Sequence, residues 1–260
     1  PLESDTVRRN TDKLPVSDWF YTPSWKRSAI PVQAREEQDV SGERWLVFLD
    51  AYGLGTNIIR EVADFDPRVI SVAAGASFSQ LDDGSYCINP ENSDDYSMLI
   101  EAILASGEIP NRILHLWSVI PEDGPQVLNT DDAFETAQVN GFYSLLYLTQ
   151  ALGRHRVVES IQIEVVSNGL HDVSGDEHLI PEKTTILAAC KVIPQEYPNI
   201  ACRNIDIVAH DAISMKENRL ADRILLECRA SRPCTEVAYR GSHRWEQVYD
   251  ANPISESSVS

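Results

Sequence analysis

Short apolar runs alternate along the chain with segments in which apolar residues recur every three to four positions. The runs are typical of strands buried on both faces, and the three-to-four spacing is typical of helices with one buried face. This alternation predicts right-handed βαβ units in one doubly wound parallel sheet, which is a Rossmann-like α/β fold. The predicted strands are residues 44–50, 68–73, 86–88, 113–118, 160–166, 201–208 and 236–239.

Residues that favour helix ends bound the predicted helices. Asn92 or Ser93 caps one helix, which Gly107 closes. A long helix opens at residues 130–132 and stops at Gly153. These two helices occupy the connections on either side of the strand at 113–118, as the βαβ pattern requires.

The later helices have their own end signals. Pro181 suits the first turn of a helix that Pro194 should end. Ser214 and Glu217 form a capping box for the last helix.

The pattern divides the chain of 260 residues into three parts. Residues 1–43 are a linker with an aromatic, β-prone stretch at 18–25, and residues 44–250 form one α/β domain with a single substantial core. Residues 251–260 are a polar tail. The chain begins with Pro1 rather than methionine, so we expect an excised segment or a processed chain.

The charge excludes several classes of partner. Forty acidic against 22 basic residues give a formal charge of −18, which argues against binding to nucleic acid or to an anionic membrane surface. No apolar run approaches the roughly 20 residues of a membrane-spanning helix, and no secretory signal is present in this sequence. We therefore expect a cytoplasmic protein.

The cysteines favour a reducing compartment, because they are five, an odd number, and widely spaced, with no C-x-x-C pair. Four of them lie in or beside apolar runs, where cysteine behaves as a small hydrophobic residue. We expect these four to be buried and inert: Cys190, Cys202, Cys228 and Cys234.

The first strand-to-helix turn lacks the glycine pattern of a dinucleotide site. Gly53 and Gly55 are present, but Ile58 stands where the third glycine of G-x-G-x-x-G belongs. Asp50 also brings a negative charge close to where a phosphate would bind. The sequence therefore favours a plain tight turn, with no cofactor-binding residue.

The catalytic pair of short-chain reductases is missing as well. Those enzymes pair a tyrosine, which protonates the forming alkoxide, with a lysine or asparagine four residues later. The nine tyrosines are followed at that distance by Trp25, Thr56, Pro90, Ile100, Tyr147, Ala151, Ala201, His243 and Pro253. The tyrosine spacing therefore predicts no catalytic residue.

The remaining polar motifs carry weaker signals. Ser167 follows a strand where a nucleophile could lie, but no G-x-S-x-G surrounds it. The loop at 171–178 is rich in histidine and carboxylates, but its spacing matches no standard zinc site. His115 lies within an apolar strand and is predicted to be a core residue, so no metal site is predicted.

Several segments together resemble the ketoreductase domain of bacterial modular type I polyketide synthases. The most specific is KVIPQEYPNI at 191–200. The others are NTDK at 10–13, SDWFYTPSWKR at 17–27, GFYSLL at 141–146, Leu152-Gly153, VSNGL at 166–170, PEK at 181–183 and VAYRGSHRW at 237–245.

The resemblance implies the first of two related halves. In that family the first half is a truncated, short-chain-reductase-like structural subdomain without a cofactor site. The second half carries the glycine-rich NADPH loop and the catalytic set, and the sequence stops resembling the first half after Trp245. No catalytic, cofactor-binding or metal-binding residue is carried over, since none of the matching positions is one.

The resemblance also implies partners and a reaction for the parent protein. The chain alone would not be an enzyme but would dock on and stabilise the catalytic half, beside the other domains of an acyltransferase-type megasynthase. The assembled oxidoreductase would use NADPH to reduce a β-ketoacyl chain on an acyl carrier protein.

Two other interpretations stay open from the sequence. The chain could be an independent, divergent short-chain reductase with a non-standard site around Gly53, Ser167 and Asn168. It could also be a free-standing acidic scaffolding module without catalysis.

Overall fold

The computed structural model describes residues 15–31, 42–63, 68–120, 130–208, 219–230 and 236–253. The chain divides into two compact units. The terminal unit combines Pro1–Lys26 with Gln247–Ser260, and the large unit is Arg27–Glu246. The predicted capping box at Ser214 and Glu217, and Cys234, lie outside the described residues.

The strands and helices alternate as the sequence pattern predicts. The strands are β1 (Tyr21–Ser28), β2 (Arg44–Phe48), β3 (Arg68–Ala74), β4 (Ser79–Gln80), β5 (Tyr86–Ile88), β6 (Arg112–Ser118), β7 (Ile161–Asn168), β8 (Ile200–Ile207), β9 (Glu236–Arg240) and β10 (His243–Ala251). The helices are α1 (Leu54–Ala63), α2 (Ser93–Ser106), α3 (Thr130–Gln138), α4 (Ser144–Arg154), α5 (Thr185–Glu196) and α6 (Arg219–Cys228).

The large unit is built on a doubly wound sheet with the order β9-β8-β7-β6-β2-β3-β5-β4. Seven of these strands pair in parallel, whereas β4 runs antiparallel to β5 at one edge. The chain winds outward from β2 first through β3 and β5, and then through β6 to β9. The strand order therefore reverses at β2, which is the position where folds of this class bind their ligands. The predicted Rossmann-like α/β fold is confirmed.

Two apolar cores cover the two faces of the sheet. One packs α2, α4 and α5 against residues such as Phe48, Ile113 and Ile163. The other packs α1 and α6 against the opposite face, around Val47, Leu114 and Ile205. This burial of both faces explains why the parallel strands are continuously apolar rather than alternating.

The described residues of the terminal unit form a 3₁₀ turn, most of β1 and the end of β10. In it β1 and β10 are hydrogen-bonded neighbours. The Phe20 carbonyl accepts from the Asn252 backbone N–H at 2.8 Å, and Lys26 Nζ lies 2.7 Å from the Asp250 carboxylate. The aromatic stretch predicted as a strand at 18–25 begins instead with the 3₁₀ turn Val16–Trp19, and the strand starts at Tyr21.

Two predicted ends differ from the structure. Pro194 does not end α5, which continues to Glu196, because a proline in the last turn removes only one helical donor and the Tyr197 N–H still bonds the Ile193 carbonyl at 2.9 Å. The strand at 236–239 is not the last, because β10 follows after a tight turn and pairs antiparallel with β9.

The predicted long helix is interrupted by a π-helical turn, Val139–Tyr143, between α3 and α4. Gly141 lies in this turn, and a Cβ there would come within 2.7 Å of Ile186 Cγ1. The Ser144 hydroxyl donates to the Asn140 carbonyl at 2.9 Å. A π turn widens the helix locally, and here it brings glycine backbone against α5.

Candidate functional site

The first strand-to-helix turn is where this fold class holds phosphate groups, on the free N–H groups of the following helix. In this chain the Asp50 side chain takes those donors. One carboxylate oxygen accepts from the N–H groups of Tyr52 at 2.9 Å and Leu54 at 3.1 Å, and the other accepts from Gly55 at 2.7 Å. The carboxylate thus supplies the negative charge that a ligand would bring.

The two glycines of the turn have structural reasons of their own. Gly53 adopts a φ of +90°, which side-chain-bearing residues rarely adopt. At Gly55 a Cβ would come within 2.8 Å of Leu116 Cδ1. Ile58, in place of a third glycine, is fully buried in the core. The turn fits a phosphate poorly, because its donors are satisfied and its next helical turn carries core side chains.

The other two residues of the alternative site are also engaged internally. Ser167 is fully buried, and its hydroxyl accepts from the Asn204 side-chain amide at 2.8 Å. The Asn168 amide pairs with the backbone of Ile120, accepting at 3.0 Å and donating at 2.9 Å. Gly53, Ser167 and Asn168 therefore serve backbone geometry and strand-end packing rather than an open site.

Lys183 is a buried cation at the same edge of the sheet. Its ammonium donates to the Ser118 carbonyl at 2.9 Å, the Asn168 carbonyl at 3.0 Å and Asn168 Oδ1 at 2.8 Å. Burial lowers the pKa of Lys183 to about 7. All three donors are used to tie the ends of β6 and β7 together, so the amine faces no open space.

The tyrosine spacing gives no signal for Lys183, because Leu179 stands four residues before it where a reductase pair would have a tyrosine. Its place in the turn that Pro181 begins, directly before α5, is the local signal that marks it.

The loop after β7, which is rich in histidine and carboxylates at 171–178, is fixed to the sheet by ion pairs and hydrogen bonds. The Leu170 N–H donates to Asp206 at 3.2 Å, and Arg240 bridges Asp206 and Glu177, at 2.8 Å to each. This arrangement and the loop hydrogen bonds hold the pKa of Glu177 well below its usual range, in spite of its partial burial. Within the described ranges, no group of three or more His, Cys, Asp or Glu side chains could hold a metal ion.

His115 is a core residue, as predicted. It is fully buried between Phe48 and Trp117, and its Nε2 lies 2.9 Å from the Ser144 hydroxyl. Burial lowers the pKa of His115 to about 3. A serine–histidine pair without access to solvent does not form a nucleophilic site, so the pair fixes the π turn to the sheet.

The described cysteines are free thiols. Cys190, Cys202 and Cys228 are buried, as predicted, and burial raises the thiol pKa of Cys228 well above its ordinary value. The pKa of Cys202 is raised by its hydrogen bond with Cys190 and by burial. The raised pKa values make Cys202 and Cys228 poor nucleophiles.

A cavity of about 740 Å³ opens near the carboxyl ends of β3 and β5. Its lining includes Glu91, Asp132 and Glu135, and none of its lining residues in the described part of the chain is Lys, Arg or His. Among the described residues that line this cavity, every charged side chain is acidic, which does not favour a nucleotide phosphate there.

Among the described helices, none combines the length and apolarity needed to cross a bilayer. A model of the family described as beta-ketoacyl synthase-like, N-terminal, matches residues 44–227. No curated protein gives a significant match to the chain.

The chain is similar to solved structures that contain ketoreductases. One is titled an adenylation, ketoreductase and pseudo-Asub multidomain structure of a keto acid-selecting NRPS module; it is 25% identical with a TM-score of 0.77 over 89% of this chain and 18% of its own. A ketoreductase from the macrolactin assembly line is 17% identical with a TM-score of 0.70 over 90% of this chain and 45% of its own. The first ketoreductase of the tylosin PKS is 14% identical, with a TM-score of 0.61 over 94% and 43%.

The likeness to the last two shows the fold alone, because their identity is low. The chain spans less than half the length of each of the three matched chains. The predicted resemblance to a ketoreductase of a modular synthase is confirmed by the family model and the first structure, and the last two agree with it in fold.

Proposed function

The chain belongs to the beta-ketoacyl synthase-like, N-terminal family. We propose that it is the structural, non-catalytic half of a ketoreductase in a modular polyketide synthase. It docks on a catalytic half and stabilises it, and it neither binds NADPH nor reduces a substrate itself. The catalytic half binds NADPH, and the assembled domain reduces a β-ketoacyl chain carried by an acyl carrier protein in the cytoplasm.

One observation carries the proposal: the Asp50 carboxylate accepts from three backbone N–H groups at the start of α1. These donors are the part of a Rossmann-like turn that binds phosphate. A cofactor phosphate would have to displace a covalently attached carboxylate, and it would be repelled by that carboxylate at the same time. The turn is therefore a structural element rather than a cofactor site.

The lengths of the related chains support a missing partner half. This chain corresponds to 45% and 43% of the two matched ketoreductase chains. More than half of each of those chains has no counterpart here. The uncovered part of each matched ketoreductase leaves room for the catalytic half that we propose.

The terminal unit offers the surface for docking. Its two short segments expose five large apolar side chains, each by 44% or more: Val16, Trp19, Phe20, Tyr21 and Tyr249. Apolar side chains concentrated in this way mark interaction surfaces. We assign this surface to the catalytic half because the proposal requires one stable partner.

The first experiment is a fluorescence titration of the 260-residue chain with NADPH, followed by addition of a β-ketoacyl thioester. We expect neither binding nor turnover by the chain alone. Tight binding with reduction of the thioester would overturn the proposal.

The docking step is tested with a separately produced catalytic half of the same synthase. Adding the chain should raise the melting temperature and the reductase activity of that half.

The double variant Phe20→Ser/Tyr21→Ser should raise the concentration of chain needed for this effect at least ten-fold, since two anchors at an interface are removed. The matched control is Val158→Ser/Val192→Ser, which changes two exposed apolar residues of the large unit and should leave docking unchanged. Equal effects of both variants would contradict the assigned surface.

A further inference from the structure

The cavity near the carboxyl ends of β3 and β5 has no role in the proposed function. Gly75 follows β3, and Asn89, Pro90 and Glu91 follow β5, and together they line one side. The other side is lined by residues of α3, the π turn and α4. The position agrees with the rule that ligands of open α/β sheets bind beyond the carboxyl ends of the strands.

One continuous helical face is turned towards the cavity. Along the helix, lining residues recur at every turn, three or four positions after the ones before, which places them on a single side of the helix. Acidic side chains come first along this face and aromatic ones last: Asp132, Glu135, Thr136, Val139, Asn140, Tyr143 and Tyr147. The π turn lies between the two groups, and π turns interrupt helices frequently at functional sites.

The aromatic part of the wall is a stacked pair. The rings of Tyr143 and Tyr147 lie 6.0 Å apart at an interplanar angle of 19°. Tyr147 is held by an edge contact with the buried Tyr96 ring at 5.7 Å, while Tyr143 remains 38% exposed. A fixed, accessible aromatic face attracts cations through the ring quadrupole.

The charge of the wall selects the same kind of ligand. Glu91 lines the strand side and Glu135 the helix side, and the lining found in the described ranges contains no basic residue. Asp132 also lines the helix side but has an interaction of its own. The formal charge of −18 adds a long-range field that draws cations to the molecule.

We propose that this cavity binds a guanidinium group, stacked on the tyrosine pair and hydrogen-bonded to the wall carboxylates. A guanidinium suits both parts of the wall, because it is planar enough to stack on a ring and presents a fork of donors to carboxylates. A lysine-type ammonium is a compact point charge and lacks the flat face. The group belongs either to a free arginine-like molecule or to an arginine side chain of a neighbouring domain.

The test is a titration of the 260-residue chain followed by backbone amide NMR and calorimetry. The probes are agmatine, which stands for a free molecule, and Nα-acetyl-arginine amide, which stands for a side chain within a polypeptide. We expect shifts centred on residues 132–147, and the tighter of the two probes identifies the source. Nα-acetyl-lysine amide should bind more weakly, and adenosine monophosphate should not bind.

Matched variants separate the cavity from the general acidity of the molecule. Tyr143→Leu and Glu135→Gln should each weaken binding roughly two- to five-fold, the range for an accessible cation–π contact and a partly exposed ion pair. Glu101→Gln removes an exposed charge from α2 outside the cavity and should leave the affinity unchanged. Equal weakening by all three variants, or equal binding of the lysine amide, would overturn the assignment. The result does not depend on NADPH or on the catalytic half, so it stands or fails separately from the proposed function.

Discussion

At the scale of single residues, Asp50 occupies the backbone N–H groups that bind phosphate in nucleotide-binding folds of this topology. A helix N-terminus offers unsatisfied N–H groups and a partial positive charge, which either an external anion or a nearby side chain can satisfy. Here the side chain comes from the last residues before the helix, so it is always present at high effective concentration. A residue that is unfavourable for binding is thereby favourable for folding.

We predict that Asp50→Ala destabilises the chain by about 1–2 kcal/mol, the range for loss of a helix-capping side chain. Urea unfolding followed by circular dichroism would measure this. Asp82→Ala, in an exposed loop, is the control and should change stability by less than about 0.5 kcal/mol. Equal stabilities of the two variants would mean that the three N–H groups are satisfied without the carboxylate.

His115 makes the stability of the core depend on pH. Burial lowers its pKa in the folded chain to about 3, whereas in the unfolded chain it should lie near 6.5. Between these values the unfolded chain binds a proton that the folded chain does not, so stability falls as the pH falls.

The contribution of His115 is isolated by comparison with His115→Gln, which retains a polar group beside the Ser144 hydroxyl. Lowering the pH from 7.5 to 5.5 should cost the parent chain about 1.4 kcal/mol more than the variant. Urea unfolding of both chains at these two pH values measures the difference. Parallel pH profiles would show that His115 takes up its proton without unfolding.

At the scale of elements, buried ion pairs join strands and helices that the apolar pattern alone would leave interchangeable. Glu227 on α6 is fully buried and binds Arg203 of β8 at 3.3 Å and the Tyr239 hydroxyl of β9 at 2.8 Å. It also pairs with Arg244 of β10. One carboxylate therefore fixes three neighbouring strands to one helix.

We predict that Glu227→Gln destabilises the chain by about 3 kcal/mol, the lower end of the range for breaking a buried ion pair. The change removes the fully buried counter-charge that Arg203 and Arg244 share, although Arg203 keeps Glu164 and Arg244 keeps Glu246. Glu246→Gln is a sharp control, since Glu246 pairs with the same Arg244 but its side chain is 35% exposed. That change should cost less than about 1 kcal/mol. Equal losses of stability for the two variants in urea unfolding would mean that water reaches Arg244 on the side of Glu227 as well as on the side of Glu246.

Elements with strong periodicity were predictable from the sequence, and those fixed by tertiary contacts were not. The parallel strands follow from continuous apolar runs, and α2 has the predicted Asn92 cap and the left-handed Gly107 at its end. The π turn depends on Gly141 meeting Ile186, which is 45 positions further along the chain. No local pattern contains that contact.

The candidate site shows the same division. The absence of a glycine fingerprint and of a tyrosine–lysine pair could be read from spacing, because both are local motifs. The sequence also indicated that Asp50 would oppose a phosphate. It could not indicate that the Asp50 carboxylate accepts from the N–H groups that a phosphate would use. Nor could it indicate that oxygens of Ser118 and Asn168 enclose the Lys183 ammonium, because that contact depends on how the ends of two strands meet.

At the scale of the whole molecule, charge and apolar surface are distributed differently. The sequence carries a formal charge of −18, whereas the terminal unit exposes several large apolar side chains. The net charge favours solubility and selects against anionic ligands. If the apolar side chains are the docking surface that we propose, docking on the catalytic half should be hydrophobic in character.

A hydrophobic docking step has a thermodynamic signature that charge pairing does not share. Burial of apolar surface gives a negative heat-capacity change. A standard interface of about 1,600 Å², somewhat more than half apolar, corresponds to roughly −0.2 kcal/mol/K. Calorimetric titration of the chain into the catalytic half at three temperatures gives this heat-capacity change as the slope of the binding enthalpy against temperature.

Raising the salt concentration from about 0.05 M to 0.5 M shortens the Debye length several-fold and should change the affinity of hydrophobic docking little. A slope near zero together with a steep loss of affinity in salt would mean that the acidic surface docks the chain, and that the exposed aromatic residues of the terminal unit serve another partner.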